Sequence, residues 1–475
     1  MRDEEFRRHG HALVDWISNY LADPQRFPVL PRVAPGDVAR ALPPAAPEHA
    51  EAFEQIVADF ERVLVPALTH WNHPGFFAYF ASSGSAPGVL AELLAAALNQ
   101  QAMLWRTSPA ATELEEVSLA WLRQLVGLPN AFEGVIYDTA SVSTLHALAA
   151  ARQAAAPGVR ERGLLERDAA VPLRVYCSEH AHSSIDKSVI LLGLGHASLR
   201  RIAVDDRFRM RVDRLHDAMA DDRRAGFTPM AVVATVGTTS TTSADPVSDI
   251  AGLCGREGVW LHVDAAYAGA AAILPAARPL FSGWEQADSV AINPHKWLFV
   301  PVDCSALYCR HMDVLRQALA LVPDYLQTRD GGRNLMDTGI QLGRRFRALK
   351  LWMVLRHFGA EGLRTRLTEH LRLAQLFASW VDAAPEFERM APVPFSVVCF
   401  RARPAGLAPG ADLDRFNEDL IERVNASGEV FLSHTRLGGA LTVRLAIGHE
   451  KTAETHVARA WQLLRAHTAE LASRP

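Results

Sequence analysis

The chain has 475 residues, 49% of them hydrophobic and 21% charged, and a formal net charge of −4. That length is enough for two or three domains around a large core, and the slight negative balance supplies no basic field for nucleic acid or an anionic membrane. The N-terminus, Met1-Arg2-Asp3-Glu4-Glu5-Phe6, is too acidic for a secretory signal, and the apolar run over 86–98 is interrupted by Pro87 and Glu92 and is too short to span a bilayer, so a cytoplasmic location is expected.

In chain order, residues 3–22 have helical apolar spacing through Phe6, Leu13, Ile17 and Tyr20. Seven prolines between Pro24 and Pro47 exclude continuous helix there. Residues 50–68 are helical in period again. The opening 1–85 therefore reads as an arm with unpaired apolar faces that must pack on the main body or on a second subunit. His70 to Phe80 is rich in aromatic residues and ends in the small polar turn Ala81-Ser82-Ser83-Gly84-Ser85. Helices are expected over 91–98 and 112–126, the second stopped by Gly127.

From residue 134 the texture changes to strands alternating with helices. Apolar runs at 134–137, 173–177, 230–236, 259–263 and 289–292 each stop at a polar group: Asp138-Thr139-Ala140-Ser141, Ser178-Glu179-His180-Ala181-His182, Gly237-Thr238-Thr239, Asp264-Ala265-Ala266 and Asn293-Pro294-His295-Lys296. This alternation predicts an α/β fold with a mostly parallel central sheet covered on both faces, over 86–360. Ligands in such a fold sit beyond the carboxyl ends of the strands. One more strand is expected at 304–309 and a helix at 312–321. Residues 324–339, with Gly331-Gly332 and little periodicity, read as a mobile loop. A helix over 342–358 carries Arg344, Arg345, Arg347 and Lys350, read first as a solvated basic face, with a dimer contact or an anion site as the alternatives. A further helix at 363–381 leads into a small α+β domain, 361–475, with strands near 395–401, 430–434 and 441–447.

Cys177, Cys254, Cys304, Cys309 and Cys399 include no Cys-x-x-Cys pair, which argues against a disulfide framework. His180-x-His182 and His70-x-x-His73 lack a third ligand at recognisable spacing, so no metal is expected.

Lys296 follows an apolar strand and precedes Trp297. A lone lysine in that setting is more often a snorkelling side chain, but a desolvated one has a lowered pKa and becomes an amine nucleophile. Residues 139–141 alone read equally as a helix cap or as a phosphate cradle. Set around one cleft, an amine, a carboxylate, an imidazole and a phosphate cradle are what pyridoxal phosphate asks of a protein. Lys296 would form the Schiff base, Asp264 would pair with the pyridine nitrogen, and His182 would face the ring or act as acid or base. Thr139, Ala140 and Ser141 would hold the phosphate, with Asn293 and His295 nearby.

Six motifs in order carry a resemblance: His-Pro-x-Phe-Phe-Ala-Tyr-Phe at 73–80, Ser-Pro-Ala-Ala-Thr-Glu-Leu-Glu at 108–115, Ala-His-Ser-Ser at 181–184, His-Val-Asp-Ala-Ala-Tyr-Ala-Gly at 262–269, Asn-Pro-His-Lys-Trp at 293–297 and Leu-Gly-Arg-Arg-Phe-Arg-Ala-Leu-Lys at 342–350. In these the chain resembles the aromatic L-amino acid decarboxylases among the group II pyridoxal-phosphate decarboxylases. The resemblance implies the aspartate-aminotransferase-like fold type I, with an N-terminal helical arm, and an intertwined homodimer that shares its active sites. It implies Lys296 as the Schiff-base lysine, Asp264 at the pyridine nitrogen, His182 stacked on the ring, and Thr239 and Ala266 at the cofactor. Trp71, Tyr79, Phe80, Ser82 and Met103 match positions near the substrate. Decarboxylation of an aromatic L-amino acid to the amine is the expected reaction, although relatives acting on other amino acids keep the same cofactor motifs.

One departure bears on the product. Relatives carry a tyrosine shortly before Leu-Gly-Arg-Arg that is thought to protonate the carbanion left by carbon dioxide; Leu335 stands at the matching place here. Without that donor, oxidative deamination to an aldehyde becomes the alternative, with Tyr325, Asp337 or water as substitute donors. A cofactor-binding scaffold without turnover is the remote alternative.

Overall fold

The computed structural model describes residues 1–164, 172–321, 332–407 and 409–473. The chain forms two compact units, one of residues 82–378 and 391–399, the other of residues 1–81, 379–390 and 400–475.

The first unit is built on seven strands: β1 (Glu133–Tyr137), β2 (Leu173–Ser178), β3 (Leu199–Ile202), β4 (Thr228–Thr235), β5 (Trp260–Asp264), β6 (Ser289–Ile292) and β7 (Ser305–Cys309). Their order is β1-β7-β6-β5-β4-β2-β3. Pairings β2–β3, β2–β4, β4–β5 and β5–β6 are parallel, while β7 runs antiparallel to both β1 and β6. Strands β5, β6 and β7 are buried at every residue, as central strands covered on both faces must be. One core cluster joins the helix Ala140–Ala155 to the sheet through Ala147, Leu148, Ala151, Val175, Val233 and Leu307. The mixed, mostly parallel sheet matches expectation. β3 was not anticipated, because Leu-Arg-Arg-Ile is an edge strand with half its residues charged.

The second unit carries the N-terminal helix Asp3–Ala22 and the helices Ala411–Ala426 and Glu454–Ala472. Strands β8 (Phe387–Arg389), β9 (Val397–Ala402), β10 (Ser433–Leu437) and β11 (Ala440–Ala446) form a four-stranded sheet in the order β10-β11-β9-β8. The aromatic stretch 73–80 is stitched into this unit. The Phe77 N–H donates to the Phe431 carbonyl and its carbonyl accepts from the Ala446 N–H, both at 2.9 Å, while Phe76 and Ala78 lie buried with Val29 and Ala81.

Three expectations are corrected. The helix drawn from Leu342 begins at Ala348 and runs to Ala383, broken at Gly359 (φ 61°, ψ 174°). The basic face is not solvated. Arg344 pairs with Glu115 at 2.8 Å and Arg347 with Asp303 at 2.7 Å, and Lys350 is buried against Glu92; only Arg345 is an exposed partner, also to Glu92. Buried cations need such partners. Finally, the end of the segment read as a loop is ordered: Leu335–Thr338 form a 3-10 turn with Leu335, Met336 and Thr338 buried. The Met336 N–H donates to the Met103 carbonyl at 3.1 Å, and the Tyr137 hydroxyl donates to the Thr338 carbonyl. Tyr325 lies outside the described residues.

Candidate active site

Because β1, β2, β4, β5 and β6 all point the same way, their carboxyl ends share one edge of the sheet. Thr139, His182, Thr239, Asp264 and the 293–296 turn each follow one of these ends, so the parallel topology gathers them.

Lys296 sits on the short helix Pro294–Trp297, tied back by its N–H to the Asn293 carbonyl at 3.0 Å. Its position is set by its neighbour. Trp297 is fully buried, stacks on Tyr267 with ring centroids 4.7 Å apart, and donates its indole N–H to His370 at 2.9 Å. Tyr267 is in turn hydrogen-bonded to Ser396. Burial lowers the pKa of the Lys296 amine, and the Asp264 carboxylate opposes that shift. Desolvation favours the neutral, nucleophilic amine, and the nearby anion keeps the ammonium within reach.

Asp264 ends β5, is almost wholly buried, and accepts the Ala266 N–H at 3.0 Å. His182 follows β2 with its Nδ1 within 2.9 Å of Ser184 Oγ and accepting the Ser184 N–H at 3.1 Å, which leaves the ring proton of the neutral form on Nε2. Its pKa is lowered, first by desolvation and further by Lys296, with Asp264 acting the other way. The three side chains therefore feel one another's charge. His295 accepts the Cys304 N–H at 2.8 Å and is held neutral by burial, its pKa lowered to about 4.

The helix Ala140–Ala155 starts at this edge with Thr139 as its N-cap. Its first-turn N–H groups precede the first intrahelical bonds and, with the helix dipole, favour an anion. Thr239 is exposed beyond β4, and Ala266 is buried. Gly237 beside it takes φ +90°, and a Cβ there would lie 2.5 Å from that of Ala268, so glycine lets the β4 turn approach the turn after β5.

Sequence reading missed several residues here. Asp245 accepts the N–H groups of Thr235 and Met210 at 2.8 and 2.7 Å and so fixes the end of β4; burial raises its pKa to about 6. Three buried atoms at strand ends, Ser178 Oγ, Thr235 Oγ1 and Asn293 Oδ1, have no hydrogen-bond partner among the described residues. Orphaned buried oxygens are costly, and their placement at the edge that carries the amine and the helix start suits a polar cofactor. The donor set fits pyridoxal phosphate: one amine of lowered pKa, one buried carboxylate, one neutral imidazole and one helix N-terminus. Ser178 and Thr235 carried one sequence signal, their place at or near the ends of apolar runs; Asp245 carried none, and Asn293 was already expected beside the cofactor.

Ser82 and Met103 belong to the same unit as these groups. Ser82 is partly buried, and Met103 packs with Leu104 and Met336. Trp71, Tyr79 and Phe80 belong to the other unit, Trp71 and Tyr79 exposed and Phe80 buried. Among the described residues there is no cluster of metal-ligating side chains, and no helix is long and apolar enough to cross a membrane.

A model of the pyridoxal-dependent decarboxylase conserved domain matches residues 35–403. Phenylacetaldehyde synthase of Arabidopsis thaliana is 39% identical over 481 residues, 98% of this chain and 96% of that protein. Aromatic-L-amino-acid decarboxylase of Sus scrofa is 39% identical over 490 residues, 99% of this chain and 98% of that protein. Among solved structures, Oryza sativa TDC with PLP and tryptamine superposes with a TM-score of 0.95 at 37% identity, covering 100% of this chain and 99% of that one. With its fold, its strand-end lysine and a match across nearly its whole length, the chain belongs to the pyridoxal-dependent decarboxylase family.

Proposed function

We propose that this protein decarboxylates an aromatic L-amino acid to the amine and carbon dioxide, with pyridoxal phosphate held covalently by Lys296. The observation that carries the reading is the Lys296 amine, its pKa lowered by burial, within the field of Asp264 and His182. When bound, the cofactor supplies an electron sink for the pair left on the substrate α-carbon as carbon dioxide departs.

The chain's own residues then have distinct tasks. Lys296 would hold the cofactor through its amine, whose pKa burial lowers. Asp264, fixed by the Ala266 N–H, keeps the pyridine nitrogen protonated. His182 would face the cofactor, with Nε2–H as the proton it can offer. Thr139, Ala140 and Ser141 would hold the phosphate at the helix start, with Asn293 and His295 beside them, and Thr239 and Ala266 would contact the cofactor. Ser82 and Met103 are proposed to contact the substrate, and Trp71, Tyr79 and Phe80 keep the substrate role that the family resemblance implies. The aromatic run and the aromatic substrates or ligands named for the relatives support this choice.

A second reading rests on Leu335. It is buried with no ionisable group where a tyrosine donor was expected, and one relative of equal identity is named an aldehyde synthase. A slow return of the proton would let dioxygen compete, giving aldehyde, ammonia and peroxide. A homodimer is the proposed working form, supported by the outward Leu90, Leu93, Leu94 and Leu98 of one apolar helix, and a cytoplasmic location goes with it.

The test is a panel of aromatic and acidic L-amino acids given to the purified holoenzyme, with amine, carbon dioxide, aldehyde and peroxide quantified. Amine and carbon dioxide in equal amounts from an aromatic substrate are expected. Aldehyde with peroxide would move the assignment to the second reading, and no turnover of any substrate would leave only a cofactor-binding scaffold.

A further inference from the structure

The unit formed by 1–81, 379–390 and 400–475 encloses a cavity of about 560 Å³ that none of the assignments above uses. Arg26, Phe27, His73, Glu429, His456 and Arg459 are among the residues that line it.

Two imidazoles set its chemistry. His73 is only 4% exposed, and its Nδ1 accepts the Gly75 N–H at 2.9 Å. His456 lies in the first turn of the helix Glu454–Ala472, and its Nδ1 accepts the Ala453 N–H at 2.9 Å. A ring nitrogen that accepts from an amide carries no proton, so the neutral ring of each histidine bears its proton on Nε2. Burial lowers the His73 pKa to about 4 and lowers that of His456, which keeps both rings neutral and in this tautomer near neutral pH. Neither Nε2 has a partner among the described residues, so both rings bring an N–H donor to the cavity.

The cations add to this. The Arg26 guanidinium lies 4.9 Å from the Phe27 ring centroid and has no carboxylate partner among the described residues. Arg459 is bound bidentately by Glu429 at 2.7 and 2.8 Å, so the carboxylate on the cavity wall is already engaged. The first turn of a 19-residue helix supplies the positive end of its dipole. The backbone is shaped to fit: a Cβ at Gly75 would lie 2.2 Å from the Glu429 carbonyl oxygen, so only glycine admits this approach of the His73 turn.

We propose that this cavity is a binding site for a phosphate group, recognised by the Nε2–H donors of His73 and His456 and by the guanidinium of Arg26. Donors from three separate chain segments suit a tetrahedral oxyanion better than a planar one, and Phe27 and Pro28 offer an apolar wall to the body of a phosphate monoester. Glu429 opposes the anion by repulsion and by holding Arg459.

Inorganic phosphate is the probe. The holoenzyme, its cofactor site filled, is titrated calorimetrically in phosphate-free buffer at constant ionic strength, with chloride as the control anion. Saturable binding of one phosphate per chain is expected, weakened at least tenfold in Arg26→Ala and in Arg26→Ala/His456→Gln, and strengthened several-fold in Glu429→Gln, which frees Arg459. The last arm separates a binding role from a structural one, because losing a salt bridge through damage to the fold would not tighten phosphate binding. Absence of saturable binding in the wild type would overturn the site, as would affinity unchanged across all three variants. A phosphate monoester that competes with inorganic phosphate and binds tighter would identify the apolar wall as part of the site.

Discussion

Lysine is scarce here, only Lys187, Lys296, Lys350 and Lys451, and Lys350 is spent on Glu92. Lys296→Ala is expected to abolish the visible absorbance of bound cofactor and to cut turnover by about a thousandfold or more, the scale on which essential catalytic groups act; spectra and initial rates check it. Because Asp264 raises the Lys296 pKa against desolvation, Asp264→Asn is expected to lower the pH at which that amine titrates. The pH dependence of cofactor loading on the apoprotein would show the shift. Lys296 and Asp264 stood out in the sequence because each lies in the polar group that follows an apolar run. Asp245 was not, since its work is to accept two backbone N–H groups, one of them 35 residues away.

Among the elements, the segment after Gly332 departs furthest from its sequence reading. Leu335 is 1% exposed and followed by Met336 in a cluster with Leu104. Leu335→Tyr therefore meets a filled space, and a loss of about 1–3 kcal/mol is expected from overpacking, read as a lower midpoint in denaturant. Arg344 joins three pieces of chain: it donates to Glu115 at 2.8 Å, to the Ile136 carbonyl at 2.7 Å and to the Ala102 carbonyl at 3.3 Å. Its removal leaves Glu115 buried without its cation, so Arg344→Ala is expected to cost about 3–5 kcal/mol in chemical unfolding. These arginines looked solvated in the sequence because helical spacing reveals a charged face and not its partners. Glu92, Glu115 and Asp303 lie between 44 and 258 residues from the cations they meet. The strands were clearer, since fully buried strands read as unbroken apolar runs, and the two missed ones were a charged edge and a three-residue strand.

For the whole molecule, burial makes stability depend on acid. His73, His146, His262 and His295 have pKa values lowered from 6.5 to about 4, and His70, His180, His182 and His456 are lowered as well. Above pH 6.5 these groups are neutral folded or unfolded and contribute no slope. Between 6.5 and about 4 the unfolded chain takes up protons that the folded chain refuses, so stability falls as pH falls. Asp245, raised to about 6, works the other way, as do Asp288 and Asp337. Among the described residues, eight histidines against three carboxylates settle the sign. Urea unfolding from pH 7.5 to 4.5 is expected to show a monotonic loss of stability; a flat or rising profile would contradict this burial pattern.

The proposed function requires that one strand-end amine, that of Lys296, hold the cofactor. Borohydride reduction of the holoenzyme followed by peptide mass mapping tests it most directly. The reduced pyridoxyl-phosphate mass is expected on the peptide containing Lys296 and on no other. The same mass on a peptide containing Lys187, Lys350 or Lys451, with Lys296 unmodified, would contradict it.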